Sequence, residues 1–387
     1  MIREDFLPFA KPSVSEDVLP EIAESIKQGW LAMGPKTIEF ENVFKNYTGA
    51  TYALSVNSAT AGLHAAVASL GIGEGDEVIT TPMTFAATVN AIIFTGAKPV
   101  LVDIDAKTRN VVPENIEKAI TSKTKAIIPV HFAGLPCKMD EIEDIAKKYN
   151  LAIIEDAAHA LGASYKGRKI GANRGARHLT VFSFHPTKNI TTGEGGMICT
   201  EDEECAENIL MFRQNGMSKG AWNRYSAKGS ASYDILHPGL KYTTTDLSSA
   251  IGISQMRQLD SFNERRQQLV AFYMKELADV ASLILPPVVP NDLVHSWHIF
   301  TPLVDIEKAG ITRDEFMAKL KERNIGTGYH YQALHLFSCY GQLTGLSKGS
   351  LPNAEYVSER IVSLPLFPAM TDKDAQDVVQ AIKEVLK

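Results

Sequence analysis

Strands and helices alternate in the pattern of apolar and polar positions between residues 50 and 160. Runs of β-branched and other apolar residues predict strands, and apolar residues spaced three or four apart predict helices. The predicted elements, in order, are strand 52–56, helix 63–70, strand 77–80, strand 98–102, helix 112–120, strand 125–130, helix 139–149 and strand 151–155. Regular alternation indicates crossover connections and a mostly parallel sheet, so the pattern predicts an α/β fold.

The pattern changes near residue 260. A long polar-faced helix is predicted over 261–280, and three closely spaced prolines follow it. Short apolar runs near 297–304 and 361–364 then predict strands of a smaller α+β unit. We therefore predict an N-terminal arm and large domain over 1–260 and a small C-terminal domain over 261–387.

Composition narrows the class of protein. The chain has 387 residues, of which 45% are hydrophobic and 22% charged, as is typical of a soluble globular protein. Its net charge of −6 offers no basic field for nucleic acid. The four cysteines have neither zinc-site spacing nor the spacing of a disulfide framework. Because no signal-peptide core and no run of about 18 apolar residues occurs, we expect a cytoplasmic protein.

The segment 180–198 contains the first candidate for chemistry. An alternating run of β-branched and aromatic residues ends at Pro186, Lys188 follows, and a glycine-rich turn leads into a second apolar run. This pattern predicts two buried strands joined by a loop that carries Lys188. Burial would lower the pKa of the lysine and free its amine as a nucleophile. A solvated loop lysine is the alternative, so Lys188 needs partners elsewhere in the chain.

The turn at 57–62 joins a short strand to a helix of small residues. Ser58 and Thr60 stand where that helix begins, and the free N–H groups and the dipole at a helix start favour an anion such as phosphate. A simple Ser/Thr N-cap explains the same residues equally well. The glycine-rich tract 71–76 leads from a helix into a strand, which is the reverse of a dinucleotide-binding loop, so we do not assign one there.

Two acids, Glu155 and Asp156, follow directly from the apolar run that begins at residue 151. Strand alternation directs them to opposite faces of the sheet, so one can face a site while the other is structural. Ligands in open α/β sheets lie beyond the carboxyl ends of the strands. A carboxylate there can keep a pyridinium nitrogen protonated, although helix capping at the strand exit is an equal alternative for Asp156.

Together these pieces match the needs of one cofactor. Residues 58–60 would bind a phosphate, with Ser183 as a further phosphate contact, while Asp156 would hold a ring nitrogen and Lys188 would form the Schiff base. Their order and their positions at strand ends fit pyridoxal phosphate (PLP) in an aspartate-aminotransferase-like fold of type I.

Other polar clusters have simpler interpretations. His295 and His298 lie three apart in a predicted strand, which directs them to opposite faces, and no third ligand is evident nearby. We therefore predict no metal site and expect core or surface histidines. Arg265 and Arg266 are interpreted as part of a solvated helix face.

The chain resembles the DegT-type nucleotide-sugar aminotransferases over essentially its whole length. The matching segments are GWLAMGP, NSATAGLHAAV, GDEVITTPMTFAATVNAI, GAKPVLVDID, AIIPVHFAG, IIEDAAHALGASYKGRKIG, FSFHPTKNITTGEGG, HYQALH and SLPLFP. Within that family, EDAAHA, ERNIGTGYHY and SERIVSLPLFPAM most resemble the enzyme that makes UDP-4-amino-4-deoxy-L-arabinose, whereas residues 185–187 differ from it.

The resemblance implies a role for each matching residue. Lys188 would be the Schiff-base lysine and the acid/base for the proton shift, and Asp156 would pair with the pyridine nitrogen. His159 would lie near the ring hydroxyl, and Phe85 would stack on the ring, where relatives have Trp or Tyr. The phosphate would be bound by Ala59, Thr60 and Ser183.

The resemblance also implies a homodimer whose sites are completed across the interface. Relatives usually have an Asn that reaches the neighbour's phosphate, and Thr243 stands at that position. Its hydroxyl can donate one hydrogen bond but lacks the reach of an amide. Near the substrate we expect His185, His330 and His335, with a structural role equally open for the last two.

The implied function is transfer of an amino group from glutamate to a nucleotide-linked 4-keto sugar with ping-pong kinetics. The first candidate acceptor is UDP-4-keto-pentose, which would give UDP-4-amino-4-deoxy-L-arabinose for lipid A or lipopolysaccharide. Another nucleotide-linked 4-keto-6-deoxyhexose is the alternative. A sugar dehydratase of this scaffold would have histidine in place of Lys188, and a non-catalytic regulator that binds cofactor or nucleotide is a further alternative. We expect no nucleic-acid partner and no membrane insertion.

Overall fold

The computed structural model describes residues 3–218 and 233–386, and a seven-stranded sheet lies at its centre. The strands are β1 (Tyr52–Val56), β2 (Glu77–Thr80), β3 (Lys98–Leu101), β4 (Thr124–Ile128), β5 (Ala152–Asp156), β6 (Ser164–Tyr165), β7 (Arg168–Lys169), β8 (His178–Ser183), β9 (Gly196–Thr200), β10 (Leu283–Ile284), β11 (Leu293–Val294) and β12 (Leu303–Val304). The central sheet has the order β1-β9-β8-β5-β4-β2-β3. β9 runs antiparallel to both neighbours, and the other pairs are parallel. The predicted α/β fold of type I with a mostly parallel sheet is confirmed.

The α-helices follow the strands in the predicted alternation. Within the described ranges they are α1 (Val18–Gln28), α2 (Pro35–Thr48), α3 (Ala59–Ser69), α4 (Ala86–Phe94), α5 (Pro113–Ala119), α6 (Met139–Tyr149), α7 (Glu203–Phe212), α8 (Asp246–Glu276), α9 (Ile306–Ala309), α10 (Arg313–Lys321), α11 (Ser338–Thr344), α12 (Pro352–Arg360) and α13 (Asp372–Val385). α6, β1 and β2 have the predicted bounds, and the other elements predicted between residues 50 and 160 differ by one to four residues at an end. None of the helices in the described ranges combines the length and the hydropathy needed to cross a membrane.

Helix α8 is the clearest departure from the predicted helix over 261–280. It begins fifteen residues earlier, at Asp246, where the Thr245 side chain accepts the backbone N–H of Ser248 as an N-cap. The small and polar residues of its first half hide the helical period, because that half is buried on several sides. The helix runs without a break through residue 260, and the division into domains there stays a prediction.

Alternate residues of the central strands bury against two helical layers. On one face Ile127 of β4 and Ile153 of β5 join a core with α2, α6 and the first half of α8. On the other face Ile128 and Ile154 join a core with α3, α4 and α7. Helices therefore cover both faces, and the carboxyl edge of the parallel strands is where a ligand can approach.

The C-terminal part has its own core around Phe300, Val362 and Leu364, packed against the second half of α8 and against α10 and α13. The strands predicted over 297–304 and 361–364 are shorter than expected. Only β12 forms regular pairing there in the described chain, and the rest is a set of isolated bridges such as Phe300 with Leu364. The apolar runs in this part pack as core segments more than as a regular sheet.

Candidate active site

A cavity of about 970 Å³ opens where β5 and β8 end and where α3 and α4 begin. Residues 329–332, 334 and 337–340 of the C-terminal part form its other wall. Most of the side chains singled out from the sequence line this cavity: Ala59, Thr60, Phe85, Asp156, His159, Ser183, His185, Lys188 and His330. Parallel strands end at one edge of the sheet, and so residues far apart in the chain meet here.

Lys188 lies in the turn between β8 and β9. Its Nζ is 3.5 Å from Nε2 of His298. The surrounding protein removes the ammonium group from bulk water, which lowers the pKa of Lys188 to about 8, while the charge of Asp156 opposes that shift. An appreciable share of Lys188 is therefore the free amine near neutral pH, as a nucleophile requires.

Asp156 ends β5 and is buried. Its Oδ2 accepts a hydrogen bond of 2.7 Å from Oγ1 of Thr88, and its Oδ1 accepts the backbone N–H of Ala158 at 3.1 Å. Burial raises the pKa of the Asp156 carboxyl, and the hydrogen bond from Thr88 opposes this. A buried carboxylate in this position favours a cationic partner in the cavity.

Glu155 points to the opposite face of β5 and is buried away from the cavity. It accepts hydrogen bonds from Nε2 of His131 at 2.6 Å and Nε2 of His178 at 2.8 Å. The backbone N–H of Cys137 donates to Nδ1 of His131, so the proton of that ring is on Nε2, toward Glu155. The two adjacent acids thus divide as strand alternation predicts, with Glu155 in the structural role.

The start of α3 forms one wall of the cavity. Oγ of Ser58 accepts the N–H of Ala61 at 3.1 Å, so Ser58 is the N-cap that the sequence left open. This bond occupies one donor of the first turn, and the N–H groups of Ala59 and Thr60 have no acceptor within the helix. They form, with the helix dipole, a site suited to an anion.

Gly196, the first residue of β9, lies directly behind the start of α3. A Cβ at this position would be 2.8 Å from the N of Ala59 and 2.8 Å from the C of Ser58, and backbone atoms cannot rotate away. We expect Gly196→Ala to push α3 out of place, lowering the free energy of unfolding by about 1–3 kcal/mol and weakening the binding of the PLP that the sequence predicts. Urea unfolding and a PLP titration measure both effects. Gly73→Ala is the comparison: its Cβ would be 3.3 Å from the carbonyl oxygen of Thr95, so a smaller loss is expected. An unchanged Gly196→Ala protein would contradict the role of this close contact.

His159 stands on the cavity wall with a fixed tautomer. The backbone N–H of Ala133 donates to its Nδ1 at 3.2 Å, so Nε2 carries the proton and lies 3.0 Å from Oη of Tyr331. Burial holds the pKa of His159 well below its usual range, and the imidazole is neutral. His159 is thus a hydrogen-bonding group of defined direction.

Three site residues were missed from the sequence: Thr88, His298 and Tyr331. Tyr331 adjoins His330 in a segment that matches the family, and its position there was a signal that could have found it. His298 was set aside together with His295 as an unlikely metal pair, and its approach to Lys188 depends on the packing of the C-terminal part against the sheet. Among the described residues, no group of three or more His, Cys, Asp or Glu side chains is placed to hold a metal ion.

The remaining predicted residues occupy different positions. Phe85 is 64% exposed at the cavity, which leaves its ring face free for stacking. His185 and His330 line the cavity, whereas His335 is buried with its Nε2 2.9 Å from Oε1 of Glu355. His335 and Thr243 are not among the described residues that line the cavity of this chain. For His335 the geometry corresponds to the structural alternative, and we assign it no substrate contact.

Arg266 does not belong to a solvated helix face, and that interpretation is wrong. The side chain is buried, and its Nη1 donates to the carbonyl oxygens of Leu366 at 2.9 Å and His298 at 3.0 Å. Arg265, its neighbour on α8, is partly exposed and pairs with Asp372. Helix α8 has 31 residues and is buried over much of its length, so its sequence does not show a simple polar stripe that marks the exposed face.

Comparison with known proteins gives consistent matches over the whole chain. The model of the DegT/DnrJ/EryC1/StrS aminotransferase family matches residues 12–383. The uncharacterized protein MJ1066 of Methanocaldococcus jannaschii is 50% identical, over 100% of this chain and 99% of its own length. The spore coat polysaccharide biosynthesis protein SpsC of Bacillus subtilis is 44% identical, over 100% and 98%. Among solved structures, Spr1654 of Streptococcus pneumoniae in its PLP form is 30% identical, with a TM-score of 0.89 over 99% of this chain and 100% of that chain.

Proposed function

The chain belongs to the DegT/DnrJ/EryC1/StrS aminotransferase family, and from that premise we propose that it transfers an amino group from glutamate to the keto carbon of a nucleotide-linked sugar. It is a PLP-dependent sugar aminotransferase. The observation that carries the proposal is one cavity that holds a lysine of lowered pKa, a buried carboxylate and the start of a helix.

The residues of the cavity fit PLP. The N–H groups at the start of α3 and the hydroxyl of Ser183 would hold the phosphate, and Asp156 would pair with the protonated ring nitrogen. The exposed ring of Phe85 would cover one face of the cofactor ring, and His159 would face the ring hydroxyl. When bound, PLP serves as an electron sink that stabilises negative charge on the carbon losing its proton.

Lys188 performs the proton transfers in this proposal. Its amine would hold the cofactor in the resting enzyme and would be freed when the amino group of glutamate takes its place. Nζ of Lys188 would then take the proton from the α-carbon of glutamate and pass it to the cofactor. In the second half-reaction it would take that proton back and deliver it to the sugar carbon that becomes aminated. A pKa of about 8 suits both directions, because the amine and the ammonium are both accessible near neutral pH.

The acceptor is proposed to be a nucleotide-linked 4-keto sugar. UDP-4-keto-pentose is the first candidate because of the segments EDAAHA, ERNIGTGYHY and SERIVSLPLFPAM. A nucleotide-linked 4-keto-6-deoxyhexose is the second, because the chain is 44% identical to SpsC, a spore coat polysaccharide biosynthesis protein. The size of the cavity, about 970 Å³, is compatible with a sugar in addition to the cofactor.

We further propose a homodimer in which the partner chain supplies cationic groups to the site. Lys188 is the one Lys or Arg among the described residues that line the cavity. A cofactor phosphate and a sugar-nucleotide diphosphate need more positive charge than this lysine supplies. Thr243 lies outside the cavity of its own chain. This position is compatible with the proposed contact between Thr243 and the phosphate in the neighbouring chain.

The proposal is tested by absorbance spectroscopy of the PLP-loaded protein. Glutamate is expected to remove the visible band of the bound cofactor, and the correct keto sugar to restore it. UDP-4-keto-pentose and UDP- and dTDP-linked 4-keto-6-deoxyhexoses are compared, with the corresponding 4-hydroxy sugars as matched controls. Restoration by a hexose alone would reject the arabinose assignment. A loaded protein that responds to no amino donor would instead favour the regulatory alternative.

A further inference from the structure

His298 is held rigidly beside Lys188 by contacts from two parts of the chain. Its backbone N–H donates to the carbonyl oxygen of Ala133 at 3.0 Å, and its own carbonyl accepts from Nη1 of Arg266 at 3.0 Å. Its ring lies against that of His159, with centroids 4.4 Å apart. Backbone bonds on both sides and a ring against one face fix where Nε2 points, which is toward Nζ of Lys188 at 3.5 Å.

The unpaired Nδ1 of His298 distinguishes this ring from those of His131 and His159. The tautomers of His131 and His159 are set by backbone N–H donors at their Nδ1 atoms. Nδ1 of His298 has no hydrogen-bond partner in the described chain, so the polar contact of this ring is the one between Nε2 and Nζ of Lys188. The neutral ring can accept a hydrogen bond from the ammonium of Lys188 at Nε2 when its one proton is on Nδ1.

We propose that His298 is a positioning residue for Lys188, which holds Nζ at one place in the cavity while the lysine is free of the cofactor. A released lysine side chain has four rotatable bonds, and its proton transfers need a fixed position relative to the reacting carbon. A hydrogen bond to Nε2 restrains the free amine without blocking its lone pair. The inference rests on the proposed function for its glutamate step.

Three substitutions at one position separate the hydrogen bond from the packing. His298→Phe keeps an aromatic ring against His159 and removes Nε2. His298→Gln places an amide group close to the position of Nε2, whereas the amide of His298→Asn lies near Nδ1. Each variant and the wild type are compared for folding by circular dichroism, for PLP content and for the rate of the half-reaction with glutamate.

We expect His298→Phe to slow the glutamate half-reaction by about 100-fold. With glutamate deuterated at the α-carbon, the isotope effect is expected to exceed that of the wild type, because proton transfer becomes the slow step. His298→Gln is expected to recover most of the rate. A wild-type rate for the folded Phe variant, or equal losses in Phe and Gln, would overturn the proposal. If the Phe variant does not fold, His298→Asn takes its place with the same expected loss.

A second measurement does not depend on glutamate. The rate at which the cofactor-free protein captures PLP follows the amine fraction of Lys188, with a midpoint expected near pH 8. Asp156, His159 and His330 also face Lys188 and stay unchanged in the variants. Loss of the Nε2 acceptor destabilises the ammonium form of Lys188 and so lowers its pKa. The pH midpoint of PLP capture should therefore move to lower pH in His298→Phe and return to the wild-type value in His298→Gln. A midpoint equal in all variants would reject the contact between His298 and Lys188.

The two proposals can fail separately. A wild type that captures PLP but does not react with glutamate would reject the proposed amino donor alone.

Discussion

Lys188→Ala is expected to lower turnover by about 10⁴-fold or more. The substitution removes the nucleophile that binds the cofactor and the base that moves the proton, and the described cavity offers no second lysine to replace it. The measurement is the rate of the glutamate half-reaction, followed by absorbance at saturating PLP.

Two further variants test whether the loss of activity is due to the amine of Lys188. Lys188→Arg keeps a cation near Asp156 but cannot give up its proton near neutral pH, so it should be nearly as inactive as Lys188→Ala. Lys348→Ala removes an exposed lysine far along the chain, with a side chain 79% exposed, and should leave the rate unchanged. Substantial transfer by Lys188→Ala would refute the assignment of Lys188.

Asp156→Asn is expected to lower turnover by about 10³-fold while the protein stays folded. An amide is nearly the same size as the carboxyl group, but it cannot provide the negative charge that holds the ring nitrogen of PLP protonated. Without that proton the cofactor withdraws fewer electrons from the reacting carbon. The comparison is made at saturating PLP, so that a weaker affinity for the cofactor does not mask the chemical effect.

Asp279→Asn is the matched control for the Asp156 variant. Its side chain is 78% exposed and pairs with Lys383 at the surface, so loss of its charge should change neither rate nor folding. If Asp156→Asn retained the wild-type rate with a full complement of PLP, the ring nitrogen would have to be held by another group and the assignment would fail.

The sequence predicted the large sheet and the candidate chemistry well because both are local. Lys188, Asp156 and the start of α3 are each adjacent to a strand, and parallel strands end at one edge. The turn before α3, Asp156 and Lys188 could therefore be predicted to lie at one site without any knowledge of tertiary contacts. The same reasoning separated Glu155 from Asp156, because alternation along β5 is itself a local rule.

The misses have a common cause, which is contact over long range. His298 lies 110 positions after Lys188, and nothing in the residues around it signals that the two side chains meet. Tyr331 reaches His159 in the same way. Arg266 looked exposed because charged residues usually are, while carbonyl groups from two distant segments surround it. The roles of these three side chains depend on tertiary packing, and the periodicity of a single sequence does not show which distant residues come into contact.

Helix α8 has a consequence for how this chain can be divided or recombined. With 31 residues it is a rod about 46 Å long. Its first half contributes Ile253 and Leu259 to the core beneath the sheet, and its second half contributes Leu269 and Tyr273 to the C-terminal core. A crossover between genes at residue 260 would join half-helices whose apolar faces were shaped by different partners. We therefore expect a chimaera with another protein to fold only when the whole of α8 comes from the same parent as both cores that it joins.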